Sequence, residues 1–224
     1  MLNKSDLLVV VPAFNESEKI HSVISDLLSL SFSIVVIDDG STDGTGKIAS
    51  NLGVKVITNT NNSGYEKSID QGFEFAINNN YKFLATIDAD DQFKASDLDL
   101  FFSLLQERIF DLIIGVRNKK NRLVENLVCT YGRTRFNIED PLCGLKLYNL
   151  RSVGTLLPFD TKGLAGMELL FKTSDINLKI EQVEIRMRKR SGKSRYGHSI
   201  FGEFKLFKVL LKSIYYFGLN KRKN

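Results

Sequence analysis

The first half of the chain alternates two kinds of hydrophobic pattern. LLVVVPAF (residues 7–14), FSIVVIDD (32–39), VKVIT (54–58), KFLATID (82–88) and DLIIGV (111–116) are short, largely continuous apolar runs, as strands buried on both faces require. Between them apolar residues fall three and four apart. Ile20, Val23, Ile24, Leu27 and Leu28 share one helical face, and Asn15 with Glu18 three residues on offers an N-cap and capping box for that helix. Helical signals follow at 43–52 and 65–79, and Ser96 with Asp99 repeats the capping pattern ahead of Leu98, Phe101, Phe102, Leu104 and Leu105. Strands alternating with amphipathic helices predict an α/β fold on a mainly parallel sheet, covered by helices on both faces.

With 224 residues, 43% of them apolar, the chain can bury one large domain or two closely joined lobes. Cys129 and Cys143 lack C-x-x-C spacing, so neither a disulfide framework nor a zinc site is expected, and a reducing, cytoplasmic compartment fits. The apolar run before Pro12 is too short for an export signal, and no stretch reaches the roughly 18 uncharged apolar residues of a spanning helix. Net charge is +5, concentrated toward the C-terminus. RMRKRSGKSR (186–195) holds six basic residues, a run that suits a solvated face, phosphate groups or an anionic lipid surface, and no nucleic-acid-binding motif accompanies it. Beyond it Ile200, Phe204, Phe207, Leu211 and Ile214 recur at helical spacing with lysines between. That basic amphipathic helix fits either packing on the rest of the chain or lying on an anionic membrane, and Tyr215, Tyr216 and Phe217 suit a membrane interface.

FLATIDADDQF (83–93) puts Asp88, Asp90 and Asp91 within four positions. Like charges this close resist ionisation unless a cation or water offsets them, so alone the cluster suits a solvated turn as readily as a metal site. Its place in the strand series changes the balance. Ligands of open α/β sheets bind beyond the carboxyl ends of the strands, and PAFNE, DDGSTDGT and DADDQ follow the first, second and fourth strands. Three polar turns then converge on one edge, which favours a cation there. Neither G-x-G-x-x-G nor G-x-x-x-x-G-K-[ST] occurs, so phosphate at that edge would be held by a cation and basic side chains.

VVVPAFNE, VVIDDGSTDGT, NSGYEKSIDQGFEFA, ATIDADDQF and DPLCGLKLY, in this order and spacing, resemble the inverting family 2 glycosyltransferases of the GT-A fold. Within them they are similar to the branch of dolichol-phosphate mannosyltransferase and the bacterial polyprenyl-phosphate glycosyltransferases. The likeness runs from residue 7 to about 197. It implies a nucleotide-sugar donor (UDP- or GDP-sugar), Mg²⁺ or Mn²⁺ at the D-x-D turn, and single displacement at the anomeric carbon. The implied layout is a GT-A domain at 1–197, with a nucleotide-sugar half at 1–115 and an acceptor half at 116–197, then a tail helix at 198–224.

By this resemblance Pro12, Asn15 and Glu16 border the nucleoside, with Glu16 accepting from ribose hydroxyls. Asp39 accepts from the base imide, as an acceptor-only carboxylate can, and Asp38 contacts the nucleotide or holds its turn. Asp90 ligates the cation, with Asp88 near the ribose or the cation. Gln92 matches the glutamine of the family's DADLQ, while Asp91 replaces its leucine and is expected to face solvent. RKRSGKSRYG resembles R-x-x-G-x-S-K, which puts Lys189 at the arginine that contacts the donor diphosphate, with Arg190 beside it as the favoured residue.

Arg117 in GVR matches the arginine that holds the acceptor phosphate, and Arg122, Arg133 and Arg135 add positive charge. Cys143 stands where the branch's D-P-T-S-G has serine, and a thiol donates poorly to phosphate. A phosphate acceptor is already ionised and needs no base, whereas a sugar hydroxyl requires a carboxylate, for which Asp140 and Glu168 are the candidates. The expectation is a metal-dependent transferase at the inner face of the cell membrane, acting on a polyprenyl phosphate or lipid-linked saccharide. A soluble transferase to a sugar hydroxyl in surface-polysaccharide assembly and a non-catalytic nucleotide-binding module are the alternatives, and intact Asp39, Asp88 and Asp90 weigh against the second.

Overall fold

A computed structural model describes residues 2–118, 122–157, 162–188 and 200–218. Along the chain run β1 (Leu7–Ala13), α1 (Ile20–Ser29), β2 (Ser33–Asp38), α2 (Thr45–Asn51), β3 (Lys55–Thr58), α3 (Tyr65–Asn78), β4 (Phe83–Thr86), α4 (Ala95–Glu107) and β5 (Leu112–Arg117). Then come α5 (Leu123–Phe136), β6 (Lys146–Asn149), α6 (Leu150–Val153), α7 (Glu168–Asp175), β7 (Ile180–Ile185) and α8 (Ile200–Phe217). All seven residues of β1 are buried, which explains its unbroken apolar sequence: it lies in the middle of the sheet with helices on both sides.

The strands form one sheet in the order β3-β2-β1-β4-β6-β5-β7. β1 is parallel to β2 and β4, β2 to β3, and β5 to β7. β6 alone runs antiparallel, wedged between β4 and β5. The carboxyl ends of β1, β2, β4 and β5 therefore open on one edge, and β6 enters from that same edge. Its first residue, Lys146, sits opposite Thr86 of β4 and Ile114 of β5. On one face α3 lies close against β1, because a Cβ on Gly72 would fall 2.4 Å from Val10 Cγ1. Phe73, next along α3, meets Tyr148 of β6 edge to face at 5.2 Å.

Both expected capping boxes are absent, for local reasons. Asn15 adopts a left-handed backbone (φ 53°) and spends its Oδ1 on the Thr42 amide at 2.9 Å. α1 begins only at Ile20, after the amides of Lys19 and Ile20 have both bonded the Glu16 carbonyl. Ser96 lies inside α4, and Asp99 instead pairs with Lys4 at 2.6 Å.

The tail forms the expected helix, but its buried face is not the expected one. α8 packs through Leu206, Val209, Leu210 and Ser213, while Phe204, Phe207 and Leu211 of the predicted stripe point outward and Ile214 is half-buried. Tyr131 of α5 donates from its hydroxyl toward the Ser213 and Gly218 carbonyls at 3.0 and 2.7 Å, and Arg135 Nε donates to the Phe217 carbonyl at 3.1 Å. The Phe217 ring meets the stacked pair Phe136–Phe171 edge-on. The C-terminal end of α8 is thus fastened to α5 and α7.

Candidate active site

Beyond the carboxyl ends of the parallel strands lies a cleft of about 390 Å³. One end is walled by Pro12, Ala13 and Phe14 at the end of β1, by Asp39 after β2, and by Gly64 and Tyr65 at the start of α3. Asp39 is buried and organises that end: Oδ1 accepts from the Ser63 amide at 2.8 Å and Asn59 Nδ2 at 2.9 Å, and Oδ2 accepts from the Gly64 amide at 2.8 Å. Asn59 is in turn locked to Gln71 by a reciprocal amide pair. An ionised carboxylate offers about four acceptor positions, so Asp39 can hold its turn and still accept from a ligand.

The other residues expected at the nucleoside do not line the cleft. Asn15 is exposed and committed to Thr42 and to the Ser41 hydroxyl. Glu16 is buried behind the turn, with its amide donating to Thr45 Oγ1 at 2.8 Å and its carboxylate 3.8 Å from Lys19 Nζ. Asp38 takes the structural alternative, its Oδ1 accepting from the Ser41 amide at 3.1 Å.

At the D-x-D turn Asp88, Asp90 and Gln92 all reach the cleft. Asp90 is buried and accepts from the Gln92 amide at 3.2 Å, which fixes the turn from within. Asp91 does not simply face solvent: in a left-handed backbone (φ 59°) it pairs with Arg188, whose Nη2 also donates to Asp26 at 2.8 Å. The Arg188 amide bonds the Gln92 carbonyl at 2.8 Å, so the approach to the basic run is stitched to the acidic turn. Lys189 and Arg190 lie outside the described residues. Gly144 is pressed against the turn from the other side; a Cβ there would lie 2.2 Å from Asp88 Oδ2, and Thr86 Oγ1 holds the Gly144 carbonyl at 2.7 Å. No group of three His, Cys, Asp or Glu that could hold a metal occurs among the described residues. Asp88 and Asp90 do present two hard carboxylates with no nitrogen or sulfur ligand, a donor set that fits Mg²⁺ or Mn²⁺ completed by phosphate oxygens of a substrate.

The far end of the cleft is basic. Arg117, Arg122, Lys146 and Lys205 line it, with Glu125 among them. Arg117 is held by Asp140 through Nε at 2.7 Å and Nη2 at 2.9 Å, and the Arg117 amide adds a third bond at 3.1 Å. Burial alone would lower the guanidinium's pKa; the Asp140 bonds more than reverse that, so the charge is permanent. Asp140 itself is 0% exposed, with both oxygens taken. It is the partner of Arg117 and does not line the cleft.

Three further expectations fail on burial. Cys143 is enclosed in the core with Sγ 3.8 Å from the Leu145 carbonyl, and burial, with the Asp140 charge, pushes its pKa up to about 12 against Arg117 and Lys146. It does not face an acceptor. Arg135 is spent on Phe217, on Asp175 at 3.0 Å and on the Phe136 ring at 4.5 Å. Glu168 is completely buried and fastens Lys172 at 2.6 Å, Lys162 at 3.5 Å and the Lys162 amide at 3.1 Å. Burial works to raise its pKa, but the Lys172 and Lys162 bonds bring it below the usual carboxylate range.

Sequence reasoning missed Lys146, Glu125 and the contribution of Lys205 and Leu206 from α8. The signal for Lys146 was a lysine interrupting the apolar run around LCGLKLY; the signal for α8 was hidden because packing, not periodicity, selects its inner face.

A mixed sheet with this strand order, an acidic D-x-D turn at its carboxyl edge and basic side chains in the same cleft is the arrangement of a GT-A glycosyltransferase. The family model of glycosyl transferase family 2 matches residues 8–145, and the chain belongs to that family. An uncharacterized protein of Methanocaldococcus jannaschii is 32% identical over 161 residues, 63% of this chain and 70% of that protein. The undecaprenyl-phosphate mannosyltransferase of Micrococcus luteus is 25% identical over 221 residues, 88% of this chain and 90% of that enzyme. Among solved structures, glucosyl-3-phosphoglycerate synthase from Mycobacterium tuberculosis, in complex with Mn²⁺, UDP and glucosyl-3-phosphoglycerate, superposes with a TM-score of 0.76 at 21% identity. That match covers 96% of this chain and 81% of the other, and it extends the likeness of fold.

Proposed function

We propose that this glycosyltransferase moves a sugar from a nucleotide-sugar donor onto a polyprenyl phosphate held at a membrane surface, with inversion. The observation that carries this reading is the Arg117–Asp140 pair. Asp140, one of the carboxylates considered as base for a hydroxyl acceptor, is sealed in the core and aims a guanidinium into the cleft. An ionised phosphate needs such a guanidinium and needs no base. Arg122 and Lys205 lie on the same stretch of wall and add to the positive field.

Asp39 with Pro12 and Tyr65 would receive the nucleoside, and Asp88 and Asp90 would hold the cation beside the donor diphosphate. When bound, that cation neutralises the charge that develops on the departing nucleoside diphosphate. The likeness to the Micrococcus luteus enzyme supports a lipid-phosphate acceptor. The Mn²⁺ and UDP named for the structural neighbour agree with the donor set here.

α8 supports the membrane part. Its outward face carries Phe204, Phe207, Leu211 and Tyr215, the last 83% exposed, and Leu123 and Leu127 of α5 are exposed beside it. Lys208 and Lys212 lie on the same helix, and Lys205 with Leu206 walls the cleft. A bilayer under α8 would bring a lipid phosphate to the basic end. No described helix is long and apolar enough to cross a membrane, so the contact proposed is peripheral.

A second reading, transfer to a hydroxyl, rests on Glu125, a carboxylate that lines the acceptor end. The two separate by mutation. Transfer to a short polyprenyl phosphate should collapse in Arg117→Ala with nucleotide affinity retained and should persist in Glu125→Gln. Loss of transfer in Glu125→Gln, with Arg117→Ala fully active, would reverse the assignment.

A further inference from the structure

Arg188 joins three parts of the chain behind the acidic turn. Its guanidinium donates through Nη1 to Asp91 and through Nη2 to Asp26 Oδ2 of α1 at 2.8 Å, and its amide donates to the Gln92 carbonyl at 2.8 Å. α1 is a firm base for this bridge, because Val23, Ile24 and Leu27, neighbours of Asp26 in the helix, are buried in the core. Met187, one residue before Arg188, lines the cleft. Neither Arg188 nor Asp91 has a role in the family resemblance, and Asp91 is where the turn departs from DADLQ.

The conformation of the turn gives the bridge something to hold. Asp90 and Gln92 both line the cleft, and Asp91 between them does not. That alternation is made at Asp91 itself, in a left-handed backbone (φ 59°) that costs an L residue energy and that aspartate tolerates better than most. Gln92 is fixed at both backbone groups: its amide donates to Asp90 Oδ1 at 3.2 Å and its carbonyl accepts from the Arg188 amide. The guanidinium then holds the Asp91 side chain on the side away from the cleft, toward α1. An arginine suits this task because its fork can serve two carboxylates from different elements at once.

Resting on the reading of the D-x-D turn as the site of the donor and its cation, we propose that Arg188 is a positioning residue for that site. Bridging Asp91 to Asp26, it keeps the turn in the backbone form that presents Asp90 and Gln92 to the donor together. Its loss leaves the turn free to take other forms, so that only a fraction of the molecules is ready to receive cation and diphosphate, and apparent affinity falls by that fraction.

The test is binding of UDP, with and without Mn²⁺, measured by titration calorimetry on the wild type, Arg188→Ala, Asp91→Asn and the double variant. Asparagine keeps the left-handed backbone accessible and removes the charge. All three side chains of the bridge are partly exposed, and pairs of that kind add little to global stability, so the variants should fold. With Mn²⁺, Arg188→Ala should weaken UDP binding about tenfold, as a turn competent about a tenth of the time requires. Without Mn²⁺ its affinity should match the wild type, because the Asp39 end of the cleft is held by Asn59, Ser63 and Gly64 and not by the bridge. Asp91→Asn should act in the same direction, and the double variant should bind no more weakly than Arg188→Ala. Equal losses with and without Mn²⁺, or wild-type affinity in folded Arg188→Ala, overturn the proposal, since a residue that only supports the fold would not single out the metal-dependent part. Additive losses in the double variant overturn the pairing.

Hydrogen exchange read by mass spectrometry supplies an arm that needs no ligand. In Arg188→Ala, segment 88–93 should exchange about tenfold faster while segment 61–66 keeps its wild-type rate. Unchanged exchange at 88–93 overturns the role of Arg188 in holding the turn. A wild type whose UDP binding ignores Mn²⁺ would instead reject the cation site, and the exchange arm then decides by itself whether Arg188 fixes the turn.

Discussion

Arg117 and Asp140 meet side-on, Nε to Oδ2 at 2.7 Å and Nη2 to Oδ1 at 2.9 Å, with the carboxylate wholly inside the protein and the guanidinium at the cleft. Breaking a buried pair by removing one partner costs about 3–5 kcal/mol, because the other charge is stranded. Asp140→Ala should therefore lower the unfolding free energy by that order, read from urea denaturation. Asp140→Asn keeps one acceptor for the fork and should retain part of its turnover with an unshifted pH profile. Complete loss of turnover in a folded Asp140→Asn protein would restore Asp140 as a base.

Gly144 is required by contact and not by turn geometry. A methyl group there would overlap Asp88 Oδ2 at 2.2 Å, so Gly144→Ala must displace the carboxylate or the strand. Overpacking of this kind costs about 1–3 kcal/mol of stability. The fold should survive, and binding of Mn²⁺ with nucleotide, read by titration calorimetry, should be lost. Wild-type binding in Gly144→Ala would show that Asp88 has no fixed role.

Acid sensitivity has an identifiable contributor in Asp43. Burial works to raise its pKa, but bonds from Thr45 Oγ1, the Ser17 amide and the Thr45 amide hold it at about 2. A carboxyl depressed on folding stabilises the native state above its unfolded pKa, near 3.9, and loses that contribution as pH falls through the folded value. The stability gap between wild type and Asp43→Ala should be constant from pH 7 to about 5 and narrow between about pH 4 and pH 2. Urea midpoints across that range would show it, and a gap that widens in acid would refute it.

The outward face of α8 can be changed without touching its packing. Phe204→Glu with Phe207→Glu removes two rings that would each contribute about 1.5–3 kcal/mol on entering an apolar phase. Sedimentation with anionic vesicles should drop while nucleotide affinity stays. Undiminished vesicle binding would locate the membrane contact elsewhere.

Much of this architecture was legible because buried parallel strands write themselves as continuous apolar runs, as β1, β2, β4 and β5 do, and the run at 54–58 became the half-exposed edge strand β3. β6 and β7 were not: the first is a four-residue strand carrying a lysine, and the second is a half-exposed edge strand with three charged or amide side chains. At the site, residues of the three polar turns (Pro12, Asp39, Asp88, Asp90 and Gln92) line the cleft beyond their strands, and so does Arg117, the last residue of β5. Asp140, Cys143, Arg135 and Glu168 did not, because which buried partner captures a polar side chain depends on contacts between segments far apart in sequence. Asp91 and Arg188, 97 positions apart, illustrate the limit.

The central claim is that a lipid-linked phosphate accepts the sugar, and transfer itself tests it most directly. Wild-type protein with Mn²⁺, radiolabelled UDP- and GDP-sugars, and vesicles containing a polyprenyl phosphate should yield label in the organic phase that is stable to removal of nucleotide and released as free sugar by mild acid. The same label should be absent when the lipid is a polyprenol lacking phosphate. Label transferred only to water-soluble saccharides, with none extracted alongside the polyprenyl phosphate, would contradict the account.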